Sequence, residues 1–132
     1  MKYKVVCLKN PSTREKKYYP ASVSPEPMLI DEITSEMEKQ CALTSADIKA
    51  AVDAMEYVVG TALRAGRSVR FGDLGTFRTT VNPKAGGRDA ASEVTEQDIE
   101  SLRVQFSASP TLRQRLDVKT ISWQQQKPAA GE

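Results

Sequence analysis

Histidine is absent from the 132 residues of this chain, which removes the commonest general base and the metal sites built on imidazole. Cysteine is scarce: Cys7 and Cys41 are isolated and lack the Cys-x-x-Cys spacing, so neither a disulfide framework nor a zinc site is predicted. We find no phosphate-binding glycine loop and no nucleophile elbow. We therefore predict a protein that is not an enzyme, with no catalytic residue, no cofactor and no metal.

Long apolar runs are also missing. No segment approaches the roughly 20 residues that cross a bilayer, and the apolar stretch in MKYKVVCLKN is too short for a signal peptide. We therefore expect a cytoplasmic protein with neither a membrane partner nor a small-molecule substrate. A chain of 132 residues with 39% hydrophobic residues is typical of one globular domain with a modest core.

The net charge is only +2, but it is unevenly distributed along the chain. Residues 1–20 carry six basic residues and one acid, whereas residues 28–66 carry seven acids and three bases. Segregated charge favours a surface that faces an anion. Plain solvation of a basic hairpin and of acidic helices is the simpler explanation.

Residue patterns predict both strands and helices. Alternation predicts a β-hairpin over residues 2–22, and the stiff break at Ser24, Pro25 and Pro27 marks a domain boundary. Thr44 and Asp47 are spaced as a capping pair for the second of two helices, and Gly66 is placed to end that helix in a left-handed conformation. Helices are predicted at 29–40 and 45–65, strands at 67–71, 74–81, 102–106 and 118–123, a short helical piece at 96–101 and a last helix from Pro110.

Two features of these elements bear on assembly and on the chain end. The second helix has a wide apolar stripe, which includes Met55, Val59 and Leu63. We expect part of it to meet another subunit, although an entirely intramolecular core stays open. The last strand is expected to pair with the N-terminal hairpin, and the end, QQQKPAAGE, to be disordered.

The run at residues 42–77 resembles the HU/IHF family of bacterial nucleoid DNA-binding proteins. That family has a capped Leu-Thr-x-x-Asp helix start, a long alanine-rich helix, a glycine turn and a Gly-Phe-Gly-Thr-Phe strand turn in this order. The resemblance is strong over 28–81 and weaker over 102–116, and the N-terminal hairpin resembles that of an extended HU-related subgroup. The matching features here are Leu43-Thr44 with Asp47, Ala65-Gly66 and Gly75-Thr76-Phe77.

The resemblance implies an α+β fold of the HU/IHF type. Two helices would lie beneath an antiparallel β-sheet saddle with short arms, in an intertwined dimer of identical or related chains. The expected domains are an added hairpin at 1–27, an HU-like DNA-binding domain at 28–117, and a C-terminal strand with a disordered tail at 118–132. The partner would be double-stranded DNA, contacted along its backbone and minor groove with little sequence specificity and bent by a proline wedge.

Candidate DNA contacts follow from the resemblance and from the charge pattern. Asn82-Pro83 resembles the family's intercalating arm tip, but Pro83 follows Phe77 by only six residues, so we favour a plain turn. The Ser109-Pro110 helix start either holds one phosphate or simply caps the helix. Alternation places Lys2 and Lys4 on one face of the hairpin, and Lys16 with Tyr18 on the partner strand. The full set comprises Arg78, Asn82, Pro83, Lys84, Arg88 and Arg103 in the arm, Arg113 and Arg115 in the last helix, and Lys2, Lys4, Lys16 and Lys17 in the hairpin.

We therefore predict a nucleoid-associated DNA-binding protein of the HU/IHF type that takes part in DNA condensation. The alternative is an HU-fold dimeric interaction or assembly module with weak or lost DNA binding, which the short and nearly neutral arm favours. RNA binding through the same surface stays open as a third hypothesis.

Overall fold

The structure, a computed structural model, describes residues 1–128 and divides into two compact units. Met1–Ile33 and the C-terminal segment from Leu116 form the first unit, and Thr34–Arg115 form the second. Two short 3-10 turns lie at Ala91–Glu93 and Glu96–Asp98. The other elements are β1 (Lys2–Lys9), β2 (Lys16–Ser22), α1 (Ile30–Glu38), α2 (Ser45–Arg64), β3 (Val69–Phe71), β4 (Gly75–Pro83), β5 (Ile99–Ala108), α3 (Pro110–Arg115) and β6 (Gln124–Gln125).

The first unit is a three-stranded sheet in the order β2-β1-β6. β1 and β2 pair antiparallel from Tyr3 opposite Ser22 to Lys9 opposite Lys16. In the connecting turn the Asn10 side chain accepts the Ser12 N–H at 2.9 Å, a local bond that favours a turn. β6 lies parallel to the first residues of β1.

The last strand lies further along the chain than predicted. At 118–123 the chain instead turns at Asp117, whose carbonyl accepts the Thr120 N–H at 3.0 Å and whose carboxylate accepts the Lys119 N–H. The strand is at Gln124–Gln125, in the segment expected to be disordered, and it pairs with the hairpin as expected. This pairing uses backbone groups, so a polar composition does not reveal it. Residues 129–132 of the predicted tail lie outside the described residues.

The helix signals at both ends of α2 are confirmed. Thr44 Oγ1 accepts the Asp47 N–H at 3.3 Å, and the Asp47 carboxylate accepts the Thr44 N–H at 3.2 Å. The Thr44 hydroxyl also donates to the Asp47 carboxylate at 2.7 Å, and this bond, followed by that from the Thr44 N–H, holds the pKa of Asp47 below its usual value. At the other end Gly66 has a φ of +78°, and the Arg67 N–H donates to the Ala62 carbonyl at 3.0 Å. A left-handed residue after the helix closes its last turn in this way.

The second unit contains a three-stranded antiparallel sheet in the order β3-β4-β5. Side chains alternate between its faces, and α2 packs against β3 and β4. The rings of Phe71 and Phe77 meet edge-on with centroids 5.6 Å apart, and Phe77 lies 4.9 Å from Phe106. These three rings identify the apolar face of the sheet. β4 and β5 are both longer than predicted, because they continue as a two-stranded ribbon to Pro83 opposite Ile99.

Few residues of the chain are buried. Among the described residues Ile48 is the only buried hydrophobic side chain, and Thr34 and Ser109 are the buried polar residues. The large apolar side chains of the ribbon are exposed, with Leu102 and Val104 each 59% accessible. None of the helices within residues 1–128 has the length and apolarity needed to cross a bilayer.

Candidate nucleic-acid interface

One face of the β3-β4-β5 sheet is entirely polar. The strand register places Arg70 beside Thr76, Gln105 beside Arg78 and Arg103 beside Thr80. Neither an acidic nor an apolar side chain occurs at these ladder positions. We call this surface the polar sheet face; it consists of Arg70, Thr76, Arg78, Thr80, Asn82, Ser101, Arg103, Gln105 and Ser107.

The three arginines of the polar sheet face form a diagonal row across the three strands. Arg70 and Arg78 are diagonal neighbours, as are Arg78 and Arg103, and such neighbours lie about 7–8 Å apart in an antiparallel sheet. All three residues are exposed. Like charges at this spacing repel each other, and no acid at the ladder positions of this face offsets them. A row of guanidinium groups of this kind suits an extended anion with regularly spaced charges.

Amide and hydroxyl side chains hold part of this face in place. Arg78 Nε donates to Gln105 Oε1 at 3.3 Å, and Asn82 Nδ2 donates to Ser101 Oγ at 3.0 Å. Both bonds join directly opposed residues of β4 and β5. They restrict the rotamers of Arg78 and Asn82, so these side chains are partly ordered before any ligand binds.

The sequence reasoning missed Arg70 as a member of this surface. The alternation in Val69-Arg70-Phe71 was a usable signal, because it places Arg70 on the face opposite the two apolar residues. The register with β4 then brings Arg70 into the row with Arg78, and that register is not readable from the sequence.

The arm region is a folded loop at the end of the ribbon. Pro83 is the last residue of β4 and pairs with Ile99, with a bulge between Asn82 and Pro83. The Lys84 N–H then donates to the Asp98 carbonyl at 2.8 Å and closes the loop. Pro83 is exposed but stands within the strand ladder.

Arg88 is held inside this loop by an acid. Its Nε and a terminal nitrogen donate to Asp98 Oδ1 at 2.9 and 2.7 Å, and the Thr95 N–H donates to Asp98 Oδ2 at 2.9 Å. The bond from Arg88, followed by that from Thr95, lowers the pKa of Asp98 below its usual value. The positive charge of Arg88 is therefore offset within the loop.

The last helix is tied to the β3–β4 turn by Ser109. The Ser109 hydroxyl donates to the Asp73 carbonyl and accepts the Leu112 N–H at 3.1 Å, while the Ser109 N–H donates to the Leu74 carbonyl at 2.9 Å. Ser109 thus caps α3, so the capping alternative describes this helix start. The two predicted basic residues, Arg113 and Arg115, lie in the exposed last turn of α3.

The four predicted hairpin lysines divide between the two faces of the first sheet. Lys2 and Lys4 share a face with Lys17, because Lys17 lies opposite Leu8. Lys16 lies opposite Lys9 on the other face, together with Tyr18. One face of the hairpin therefore carries three of the four predicted lysines, and the other face carries only Lys16 of that set.

Other kinds of site receive no support from the described residues. Within residues 1–128 no cluster of acids or cysteines is arranged to hold a metal ion. Cys7 and Cys41 are both free and exposed. Cys41 Sγ donates to the Met37 carbonyl at 3.2 Å, a bond back into the end of α1.

The helices, the antiparallel sheet and the polar sheet face define a mixed α+β domain of the HU type. The chain matches the family described as "HU domain fused to wHTH, Ig, or Glycine-rich motif" over residues 1–122, and it belongs to this family. The predicted family resemblance is thereby confirmed. No curated protein matches the chain.

A solved structure has a similar fold. It is a Bacteroides vulgatus protein described as a "Putative bacterial DNA binding protein", with a TM-score of 0.61 and 16% sequence identity. The match covers 97% of this chain and 50% of the other, so this chain spans half the length of that protein. At this identity the likeness concerns the fold.

Proposed function

We propose that this chain is a non-enzymatic, nucleoid-associated protein that binds the backbone of double-stranded DNA with little sequence specificity. The diagonal row of Arg70, Arg78 and Arg103 carries this proposal. Arginine binds phosphate oxygens through its planar fork, and phosphate contacts supply most of the affinity in non-specific DNA binding. Membership of a family built on the HU domain supports the choice of DNA.

We further propose that the DNA is bound without a proline wedge. Pro83 lies within the strand ladder opposite Ile99, and the loop beyond it folds back through Lys84 and Asp98. An intercalating side chain must project beyond the sheet to enter a base step. The polar sheet face therefore contacts phosphates, while Lys84, Arg113 and Arg115 add charge at the periphery and Arg88 contributes least because Asp98 neutralises it.

The functional form is a dimer, in which a second copy covers exposed apolar surface. Large apolar side chains of α2 are exposed, with Met55 44% and Val58 63% accessible. An open apolar groove of about 330 Å³ lies between α2 and the sheet, where Met55, Val59, Phe71 and Phe77 line it. Exposed apolar surface of this kind marks a protein–protein interface.

Binding of a labelled duplex at two salt concentrations tests the proposal. We expect a dissociation constant below about 1 µM at low salt and a steep loss of affinity as salt rises. Single Arg70→Gln, Arg78→Gln and Arg103→Gln variants should each reduce the magnitude of the salt slope of the dimer by about 2, because each removes one phosphate-neutralising cation from both copies. Arg64→Gln, in the last turn of α2, is the matched control and should leave the slope unchanged.

Two results would contradict these proposals. Loss of all binding even at low salt in the dimeric wild-type protein would favour an HU-fold interaction or assembly module, which the neutralised Arg88 also supports. A strong preference for a nicked over a continuous duplex would indicate bending and would contradict binding without a wedge. Equal binding of double-stranded RNA would extend the proposal to RNA.

A further inference from the structure

We infer that the outer edge of β1, over Val5–Lys9, is a docking site for an extended acidic segment of a partner protein. The segment would join the first sheet as an added strand, paired through its backbone. This site lies in the first unit and is independent of the DNA contacts proposed for the second.

The hydrogen-bond pattern of the hairpin shows which β1 groups face this edge. Lys2 accepts from Val23 across the hairpin, and Asn10 donates to Glu15. Backbone groups alternate in an antiparallel pair, so even-numbered residues of β1 point toward β2 and odd-numbered residues point away from it. The odd-numbered Tyr3 accepts the Gln126 N–H at 2.8 Å on that outer side. Val5, Cys7 and Lys9 therefore direct their N–H and C=O groups toward the outer edge.

The described residues cover only the beginning of this edge. β6 pairs with Lys2 and Tyr3, and its register would next bring residue 128 to the carbonyl of Val5. Residue 128 is proline, which has no N–H to donate. Pro128 therefore ends the ladder, and the described residues place no strand against β1 beyond this point.

A groove marks the place where the C-terminal segment leaves β1. It measures about 610 Å³ and is lined by β1 residues on one side and by the segment from Gln125 to Pro128 on the other. Lys4 and Lys127 are the charged residues of its lining, and no acid takes part. An extended chain entering here would meet backbone donors and acceptors together with positive charge.

The opposite edge of the same sheet is protected. Pro20 in β2 lies opposite Val5, so its nitrogen faces the outer side of β2, where proline blocks the addition of a strand. The edge of β1 has no such residue between Val5 and Lys9. An open strand edge in a folded protein is a site of β-augmentation by a peptide.

Charge determines which occupant fits. β1 and β2 together carry Lys2, Lys4, Lys9, Lys16 and Lys17 and no acid. A second copy of β1 would place two such ribbons side by side, and their charges would repel. An extended segment with glutamates or aspartates satisfies both the backbone edge and the lysines. DNA satisfies only the lysines, because it has no groups that extend a β-ladder.

The full chain and a capped peptide of alternating Glu and Val residues test the inference. At saturation, the amide hydrogens of Cys7 and Lys9 should exchange at least about tenfold more slowly, as expected when one or two new hydrogen bonds form. Peptides N-methylated on either their Glu or their Val amides are the matched probes. One of these two should lose about tenfold in affinity, which corresponds to one to two hydrogen bonds.

Cys7→Pro removes the central edge donor while leaving the β1–β2 ladder bonds of the neighbouring residues, and Cys7→Ala is its control at the same position. Peptide binding should fall in Cys7→Pro and persist in Cys7→Ala. The inference would be overturned if both N-methylated peptides bound as tightly as the unmethylated one. It would also be overturned if a peptide with lysine in place of glutamate bound equally well. Duplex DNA that protects the same amides and displaces the peptide would also overturn it. The N-methylated peptides test the inference on the wild-type chain, so the test holds even when Cys7→Pro fails to fold.

Discussion

The backbone of Gly75 passes beside Ser107 and the ring of Phe106 at the start of β4. A Cβ added there would overlap the Ser107 carbonyl oxygen and would lie 2.7 Å from the Phe106 ring. To make room for this Cβ, the backbones of β4 and β5 would have to move apart, and that movement would disturb the hydrogen bonds of the β4–β5 ladder. The tight strand connection between β3 and β4 therefore depends on the missing side chain at Gly75.

Gly75→Ala should destabilise the fold by about 3 kcal/mol, the upper range for overpacking a close contact. Gly72→Ala is the control in the same turn, where the added Cβ meets nothing within 4 Å and only the φ of +40° is strained. That strain costs about 1–2 kcal/mol. Urea unfolding at one protein concentration compares the two variants, and equal midpoints would contradict the steric explanation.

The stability of the loop at the end of the ribbon should decrease at acid pH, because it depends on the charged form of Asp98. Its pKa is lowered mainly by the bond from Arg88, so the charged form stabilises the closed loop at pH values above the usual carboxyl pKa of 3.8. This contribution is lost as the pH falls through the lowered pKa. We expect the Arg88 Nε–H signal to stay protected at neutral pH and to collapse only below about pH 4.

The control for this titration is Asp98→Asn, which removes the titrating group. In that variant the Arg88 signal should be unprotected at every pH. Because the Arg88 side chain is 50% exposed, salt should also weaken the bond in the wild type. Equal protection of the Arg88 signal in the wild type and in Asp98→Asn at neutral pH would show that Asp98 does not hold Arg88.

At the scale of elements, α2 depends on its first turn. Thr44→Ala removes the side chain that accepts the Asp47 N–H, and substitutions of this kind cost about 1 kcal/mol. Thr44→Ser keeps the hydroxyl and should retain most of that stability. Chemical unfolding followed by circular dichroism measures the difference. A loss of the same size in both variants would point to the methyl group rather than the cap.

The elements also explain which parts of the fold were predictable from the sequence. The ends of α2 were predicted because the signals at Thr44 and Gly66 act within a few residues. The strand at Gln124 was placed wrongly because backbone pairing is independent of side-chain type. Arg70 was missed because its neighbours on the polar sheet face are fixed by strand register. Local sequence patterns do not specify which distant segments of the chain pair with each other, so features that depend on such pairing could not be predicted.

The short ribbon was predictable for a different reason. The step of six residues from Phe77 to Pro83 limits its reach at about 3.4 Å per residue, whatever fold the loop takes. The fold of that loop was not predictable, because it depends on the ion pair between Arg88 and Asp98 across ten positions. A limit on length can thus be read from the sequence, whereas the contact that neutralises a predicted DNA-binding residue cannot.

At the scale of the whole molecule, the exposed apolar surface supports the proposal that stability depends on association. With Ile48 as the only buried hydrophobic side chain among the described residues, a single copy has too little core to offset its conformational entropy. A dimer that covers Met55, Val59 and the neighbouring phenylalanines supplies that core. In the proposed dimer we expect folding and association to be one process, so that the melting temperature rises with protein concentration.

Light scattering at micromolar concentration should therefore give about twice the chain mass of 14.5 kDa. Val59→Glu places a charge in the apolar groove between α2 and the sheet, so it should abolish the dimer and cooperative unfolding together, because a buried unpaired carboxylate is costly. Asp53→Asn is the control, because Asp53 is exposed and lies about 200° around α2 from Met55. This substitution should leave both the dimer and cooperative unfolding intact. A Val59→Glu protein that remains folded as a stable monomer would show that association is not needed to cover the groove. The DNA-binding surface would then consist of one polar sheet face rather than the two of a dimer.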